Sequence, residues 1–304
     1  MSSFLYVDTF KVLSRIFGFD YVLYGHASPF DMDKFQQDLE AGSQIDAFFT
    51  EFPGNPLLGS LDLERVYDLS RQYGFVVVVD DTIGTPINTS LLAHCDIICT
   101  SLSKMFSGAC NVMGGSVLIN PKSRHCSSLR SAIPGSDNAD SPPGYFPLDI
   151  LAMEKNSVNF DQRVRIASRN AEQIVGVLRR HKSVQQVFYP KGGLTQHLYD
   201  KYKREGEGYG YLLSIQFVRP QDAIAFHDGL NVAKGPSLGT NFTLACAYTL
   251  LAHASELDWA AEHGVFEHLV RISIGLEDIE QLVEIVQAAL RATEVEKAKN
   301  GVEV

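Results

Sequence analysis

A lysine flanked by two hydroxyls is the first group in this chain that could do chemistry. Ser101-Leu102-Ser103-Lys104 follows an apolar run at Cys95–Cys99, and Gly108, Gly114 and Gly115 come soon after. An amine placed there can form a Schiff base with an aldehyde, the hydroxyls can take a phosphate, and the glycines admit close backbone approach. Alone, such a tetrapeptide also describes a solvated loop lysine. Three further groups narrow the choice. Asp80 ends the apolar run Phe75–Val79, Asn55 sits in the break Pro53-Gly54-Asn55-Pro56, and Arg271 interrupts an apolar stretch, Leu269–Gly275. A guanidinium within such a stretch needs an anionic partner, either a structural carboxylate or a bound acid.

The elements that must position these groups follow from periodicity. Phe75–Val79 is apolar at every position, as a strand covered on both faces of a parallel sheet would be, with Asp80-Asp81-Thr82 at its carboxyl end. Strands are expected at Ile45–Phe52, Cys95–Cys99 and Gly115–Ile119. Helices are expected over Asp31–Leu39 and from an N-cap at Ser60 to Gly74, and a short one through Leu91-Leu92. Strand, helix, strand order predicts an α/β domain with its ligand chemistry at the carboxyl ends of the strands. Ser131–Phe146, with three prolines, reads as a loop. A long helix carrying Ala167, Ala171, Ile174, Val175 and Leu178 follows. From about Ser183 a second unit is expected, with strands at Val184–Tyr189, Tyr211–Val218 and Leu269–Ser273. A final helix holds Ile279, Leu282, Val283, Val286 and Leu290, with fraying after Thr293.

Composition removes several function classes. In 304 residues, 26 basic against 36 acidic side chains give a net charge of −10, and no basic run marks a nucleic-acid or membrane surface. No apolar run is long enough to span a bilayer, and no signal peptide opens the sequence. The five cysteines, Cys95, Cys99, Cys110, Cys126 and Cys246, show no paired metal-ligand spacing. They read as buried free thiols in a reducing compartment, so a cytoplasmic protein without a metal is expected.

The ordered set Glu51-Phe-Pro-Gly-Asn55-Pro56, Val79-Asp80-Asp81-Thr82, Ser101-Leu-Ser-Lys104, Gly114-Gly115, Ser237-Leu-Gly239 and Leu269–Asp278 resembles the Cys/Met-metabolism family. These are pyridoxal 5′-phosphate (PLP) enzymes of transsulfuration with the aspartate-aminotransferase-like fold. Gly235–Leu244 and Glu256–Trp259 look closest to its fungal cystathionine γ-synthase branch. The resemblance runs from Tyr6 to about Leu290. It implies a large PLP-binding domain with a mostly parallel sheet over 1–180 and a smaller C-terminal α+β domain over 181–304.

It also implies roles. Lys104 would carry the cofactor as a Schiff base and then move protons. Asp80 would pair with the ring nitrogen, Asn55 would bond the ring oxygen, and Ser101 and Ser103 would bind the phosphate. Arg271 would hold the substrate carboxylate, Ser237 would line the substrate side, and Tyr6 would stack on the ring and assist proton transfer. The implied activity is γ-replacement on an O-acylhomoserine by cysteine or another thiol, with γ-lyase or O-acetylhomoserine sulfhydrylase chemistry as alternatives. A homo-oligomer, dimer or tetramer, acting on a small amino acid is expected, with neither nucleic acid nor membrane as partner. The family segment that precedes Tyr6, with its phosphate-cradling turn, has no counterpart in this sequence. The expected alternative of another class is therefore an impaired paralogue acting through oligomer contacts.

Overall fold

The computed structural model describes residues 1–133 and 145–299. Two sheets organise them. The first holds β1 (Ala47–Glu51), β2 (Val76–Asp80), β3 (Ile97–Ser101) and β4 (Gly115–Ile119), in that spatial order. β1, β2 and β3 are parallel, and β4 returns antiparallel along β3. The register aligns Glu51 with Asp80, Asp80 with Cys99, and Ser101 with Gly115. The carboxyl ends of three strands and the start of the fourth therefore meet along one edge.

β2 owes its central place to the valines at 76–79, of which Val77 and Val79 are wholly buried. They pack with Phe35, Phe48, Leu63, Val66 and Phe75 from the flanking strand and helices. The helix Pro29–Glu40 is started by a reciprocal cap: the Ser28 hydroxyl accepts the Asp31 N–H, and the Asp31 carboxylate accepts the Ser28 N–H. At the outer margin, β4 is thinly covered, with Val117 and Leu118 at 55% and 50% exposure.

The second sheet has the order β5-β6-β9-β8-β7, formed by Val184–Phe188, Leu212–Phe217, Val270–Ser273, Leu244–Ala247 and Ala233–Lys234 respectively. Its pairs are antiparallel except β7 with β8. Its core joins Leu213, Ile215 and Ile272 to Ile174, Leu178, Phe226, Leu282 and Val286 on three helices. The helix Phe160–Leu178 touches both the turn that carries Lys104 and strands β5 and β6. A third apolar cluster (Leu58, Ile83, Met105, Val164, Tyr211, Leu212 and Leu238) fills the seam between the sheets, directly beneath the lysine. Among the described residues no helix is long and apolar enough to cross a membrane.

Several elements differ from the sequence expectation for identifiable reasons. Asp62, not Ser60, caps the helix Leu63–Tyr73, its carboxylate accepting the Arg65 N–H, whereas the Ser60 side chain is buried. β3 begins at Ile97 rather than Cys95, because the Asp96 carboxylate takes the Val77 N–H before strand pairing starts. The helix expected through Leu91-Leu92 is two short turns, Thr85–Asn88 and Leu92–His94. All five cysteines are free, but only Cys95 and Cys246 are buried, while Cys110 is exposed. The last helix runs on to Lys299, past the fraying expected after Thr293. The loop expected over Ser131–Phe146 falls largely on 134–144, outside the described residues.

Candidate active site

Lys104 sits in a wide turn, Leu102–Phe106, just beyond the end of β3, and its own backbone (φ −88°, ψ −134°) breaks the helical path. Several contacts fix that turn. The Leu102 N–H donates to the Gly114 carbonyl at 2.9 Å, and the Gly114 N–H donates to Ser103 Oγ at 2.9 Å. Buried Arg163 donates to the carbonyls of Met105 at 2.7 Å and Phe106 at 2.6 Å. Gly239 (φ +68°) presses against the other side; a Cβ there would lie 2.6 Å from Met105 N and 2.9 Å from Lys104 Cβ. Only glycine fits that approach.

The Lys104 amine donates to Ser237 Oγ at 2.9 Å, joining residues 133 positions apart. Burial, and then the nearby Arg271 charge, hold its pKa below the ordinary lysine value. Both effects favour the neutral amine that a nucleophile or base must present.

Arg271 lies on β9, 3% exposed. It donates to Asn55 Oδ1 at 3.0 Å, to the Ser237 carbonyl at 3.1 Å and to the Pro236 carbonyl, and it stacks 4.7 Å from the Tyr248 ring centre. All of these oxygens are neutral. Among the described residues no carboxylate forms an ion pair with it, so a buried, permanently charged fork waits for an anion.

Asp80, at the end of β2, accepts the Thr82 N–H at 2.8 Å, and burial raises its pKa. Its register neighbour Glu51 is also raised, first by burial and then by the Asp80 charge. Asp81 is held up at about 6 by burial, against the hydrogen bond from Thr100 Oγ1. Three carboxyls crowded at the sheet edge, with no cationic side chain paired to Asp80 among the described residues, suit a cationic ring atom.

Of the residues expected from sequence, Lys104, Ser237, Arg271 and Asn55 form one connected network, with Asp80 at the adjoining strand end. The Ser101 N–H donates to Thr82 Oγ1 at 2.8 Å, and among the described residues its hydroxyl is free to bind. The Ser103 hydroxyl is instead engaged with Gly114. Tyr6 joins through its backbone: its N–H donates to Glu51, while its hydroxyl, on a ring 47% exposed, donates to Asp8 at 2.7 Å. The sequence assigns no role to Glu51, Tyr248 or Arg163, although Glu51 stands first in the motif that runs to Asn55 and Pro56. A cleft of about 730 Å³ lined by Tyr67, Arg71, Asp96 and Arg124 lies at the opposite, amino-terminal end of β3 and shares no residue with this network.

A family model described as Cys/Met metabolism PLP-dependent enzyme matches residues 1–291. A cystathionine gamma-synthase-like protein of Aspergillus thermomutatus is 46% identical over 275 residues, which cover 90% of this chain and 48% of that one. Cystathionine gamma-synthase of Neurospora crassa is 44% identical over 291 residues, covering 96% and 46%. The chain thus spans about half the length of the curated relatives it matches. Among solved structures, cystathionine gamma synthase from Xanthomonas oryzae pv. oryzae in complex with cystathionine superposes with a TM-score of 0.82 at 26% identity. That match covers 97% of this chain and 75% of the other. The fold is that of the aspartate-aminotransferase-like PLP-dependent transferases.

Proposed function

The chain belongs to the Cys/Met-metabolism family of PLP-dependent enzymes, and on that premise we propose that it catalyses γ-replacement on an O-acylhomoserine. Cysteine or another thiol is the incoming group: the Cγ–O bond breaks, a Cγ–S bond forms, and the acyl group leaves as a carboxylic acid. The observation that carries this reading is Arg271, a buried guanidinium with no ion pair among the described residues, tied through the Ser237 residue to the Lys104 amine.

The residues fit the cofactor of the family. Bound here, pyridoxal phosphate supplies an aldehyde for the lysine and a ring that withdraws electrons from the substrate carbons. Asp80 would hold the ring nitrogen, a role suited to a partly buried carboxyl that is bonded by Thr82 and has no ion pair among the described residues. The Ser101 hydroxyl would hold the phosphate, joined by that of Ser103 if it exchanges its Gly114 contact, and Asn55 would bond the ring oxygen.

Arg271 grips the substrate α-carboxylate through its fork, and so fixes which hydrogen points at Lys104. Lys104 Nζ, its pKa lowered by burial, takes that proton and carries it to its next position, and Ser237 Oγ holds the amine in line. Tyr6 lies close enough to Arg271 and Glu51 to feel their charges, which supports a part for it at the substrate side. A cytoplasmic homo-oligomer, with a domain boundary near residue 180, completes the reading.

The test uses the purified chain supplied with pyridoxal phosphate. A visible band discharged by borohydride and absent in Lys104→Ala is expected, and colourless protein at saturating cofactor would sink the assignment. O-acetyl- or O-succinylhomoserine with cysteine should then yield cystathionine by mass spectrometry. Release of a keto acid without thioether would favour the γ-lyase alternative, and homocysteine from sulfide the sulfhydrylase one.

A further inference from the structure

We propose that Glu51 is a positioning residue for recognition of the substrate α-carboxylate, acting through Asn55 on Arg271. The inference rests on the function proposed above. Glu51 ends β1 beside Asp80 and is 6% exposed. Its two oxygens do separate work. Oε1 accepts the Tyr6 N–H at 2.5 Å, and Oε2 accepts the Asn55 N–H at 3.0 Å. Among the described residues it forms no ion pair, so these two backbone donors are its direct partners. A carboxylate buried on such terms is costly unless its position matters.

What it positions can be followed atom by atom. The Asn55 main chain is fixed by Glu51, and the Asn55 side-chain oxygen accepts from Arg271 Nη1 at 3.0 Å. On its other side Arg271 is held by the carbonyls of Pro236 and Ser237. The guanidinium is therefore aimed by two jaws, one on the second sheet's loop and one on the Asn55 turn. Only the Asn55 jaw is anchored by a buried carboxyl. Each oxygen of the Glu51 carboxyl accepts one backbone N–H, whereas a glutamine accepts on one and turns its own N–H₂ toward the second donor. Glu51→Gln, nearly identical in volume, should thus slacken the aim of Arg271 without touching Lys104.

The cofactor-loaded protein is titrated with glycine and with methylamine, followed by the cofactor's visible band. Both probes carry an amine; only glycine carries the carboxylate that Arg271 recognises. Glu51→Gln is expected to weaken glycine about tenfold while methylamine binds as in the parent. With an O-acylhomoserine, KM should rise by a similar factor and kcat change less. Unchanged glycine affinity, or equal weakening of both probes, would overturn the proposal. Should Glu51→Gln fail to melt cooperatively, Glu51→Asp serves instead. It keeps the carboxyl but cannot span both donors, and the same selective loss of glycine is required of it. A parent that takes up no cofactor shows itself before any variant is compared, and sinks the enzymatic reading together with this role.

Discussion

Asp81 shows what burial does to a single side chain here. Its carboxyl is held at about 6, against an ordinary 3.8, by desolvation and by the Asp80 charge. The folded state therefore keeps this proton more tightly than the unfolded chain does. Its contribution to stability falls as pH rises from about 4 to about 6 and is flat above that window. Asp81→Asn still accepts from Thr100 and removes the titration. The variant should gain on the parent across that window, to a limit of about 3 kcal/mol. Urea midpoints at both ends of the window measure the gain, and a pH-independent difference would show that the shift was misjudged. Residues of this kind were legible when they broke an apolar pattern, as Asp80, Lys104 and Arg271 do. Tyr248 and Arg163 broke none: an aromatic after β8 and an arginine on an amphipathic helix look structural until their partners, Arg271 and the lysine turn, are seen.

At the scale of elements, the lysine turn depends on a glycine that arrives from the other sheet. Gly239 has a left-handed backbone and no room for a methyl group between Met105 N and Lys104 Cβ. Gly239→Ala should push the turn away from Ser237 and break the Lys104–Ser237 hydrogen bond. The expected result is cofactor colour weakened at least tenfold in affinity and stability lowered by about 1–3 kcal/mol. Equilibrium dialysis and thermal melting read the two effects separately, and an alanine variant with parental colour would show that the turn tolerates the shift. Long periodic elements were readable in advance: β2 from its valine run, and the helix Phe160–Leu178 from its apolar face. Boundaries were less so, because side chains such as Asp62 and Asp96 compete for backbone N–H groups and move an end by one or two residues. The antiparallel return of β4 had no sequence signature at all.

The molecule as a whole joins groups that local pattern cannot relate. Arg271 meets Asn55 across 216 residues and Lys104 meets Ser237 across 133. Sequence supplied the members of the site, through ordered motifs, but not the network, which exists only because the seam cluster around Met105 and Leu238 locks the two sheets together. The outer margin of the first sheet is the opposite case, a place where locking stops. Among the described residues β4 is an edge strand, met by the Tyr145 hydroxyl at Gly115, and it leaves Val117 and Leu118 half-exposed. Colloidal behaviour follows from it: a flat apolar strand margin templates pairing between molecules, and the net charge of −10 opposes it by long-range repulsion that salt screens. The chain should therefore self-associate more as ionic strength rises. Val117→Lys should abolish that trend in sedimentation velocity, and persistent salt-driven association in the variant would place the attraction elsewhere on the surface.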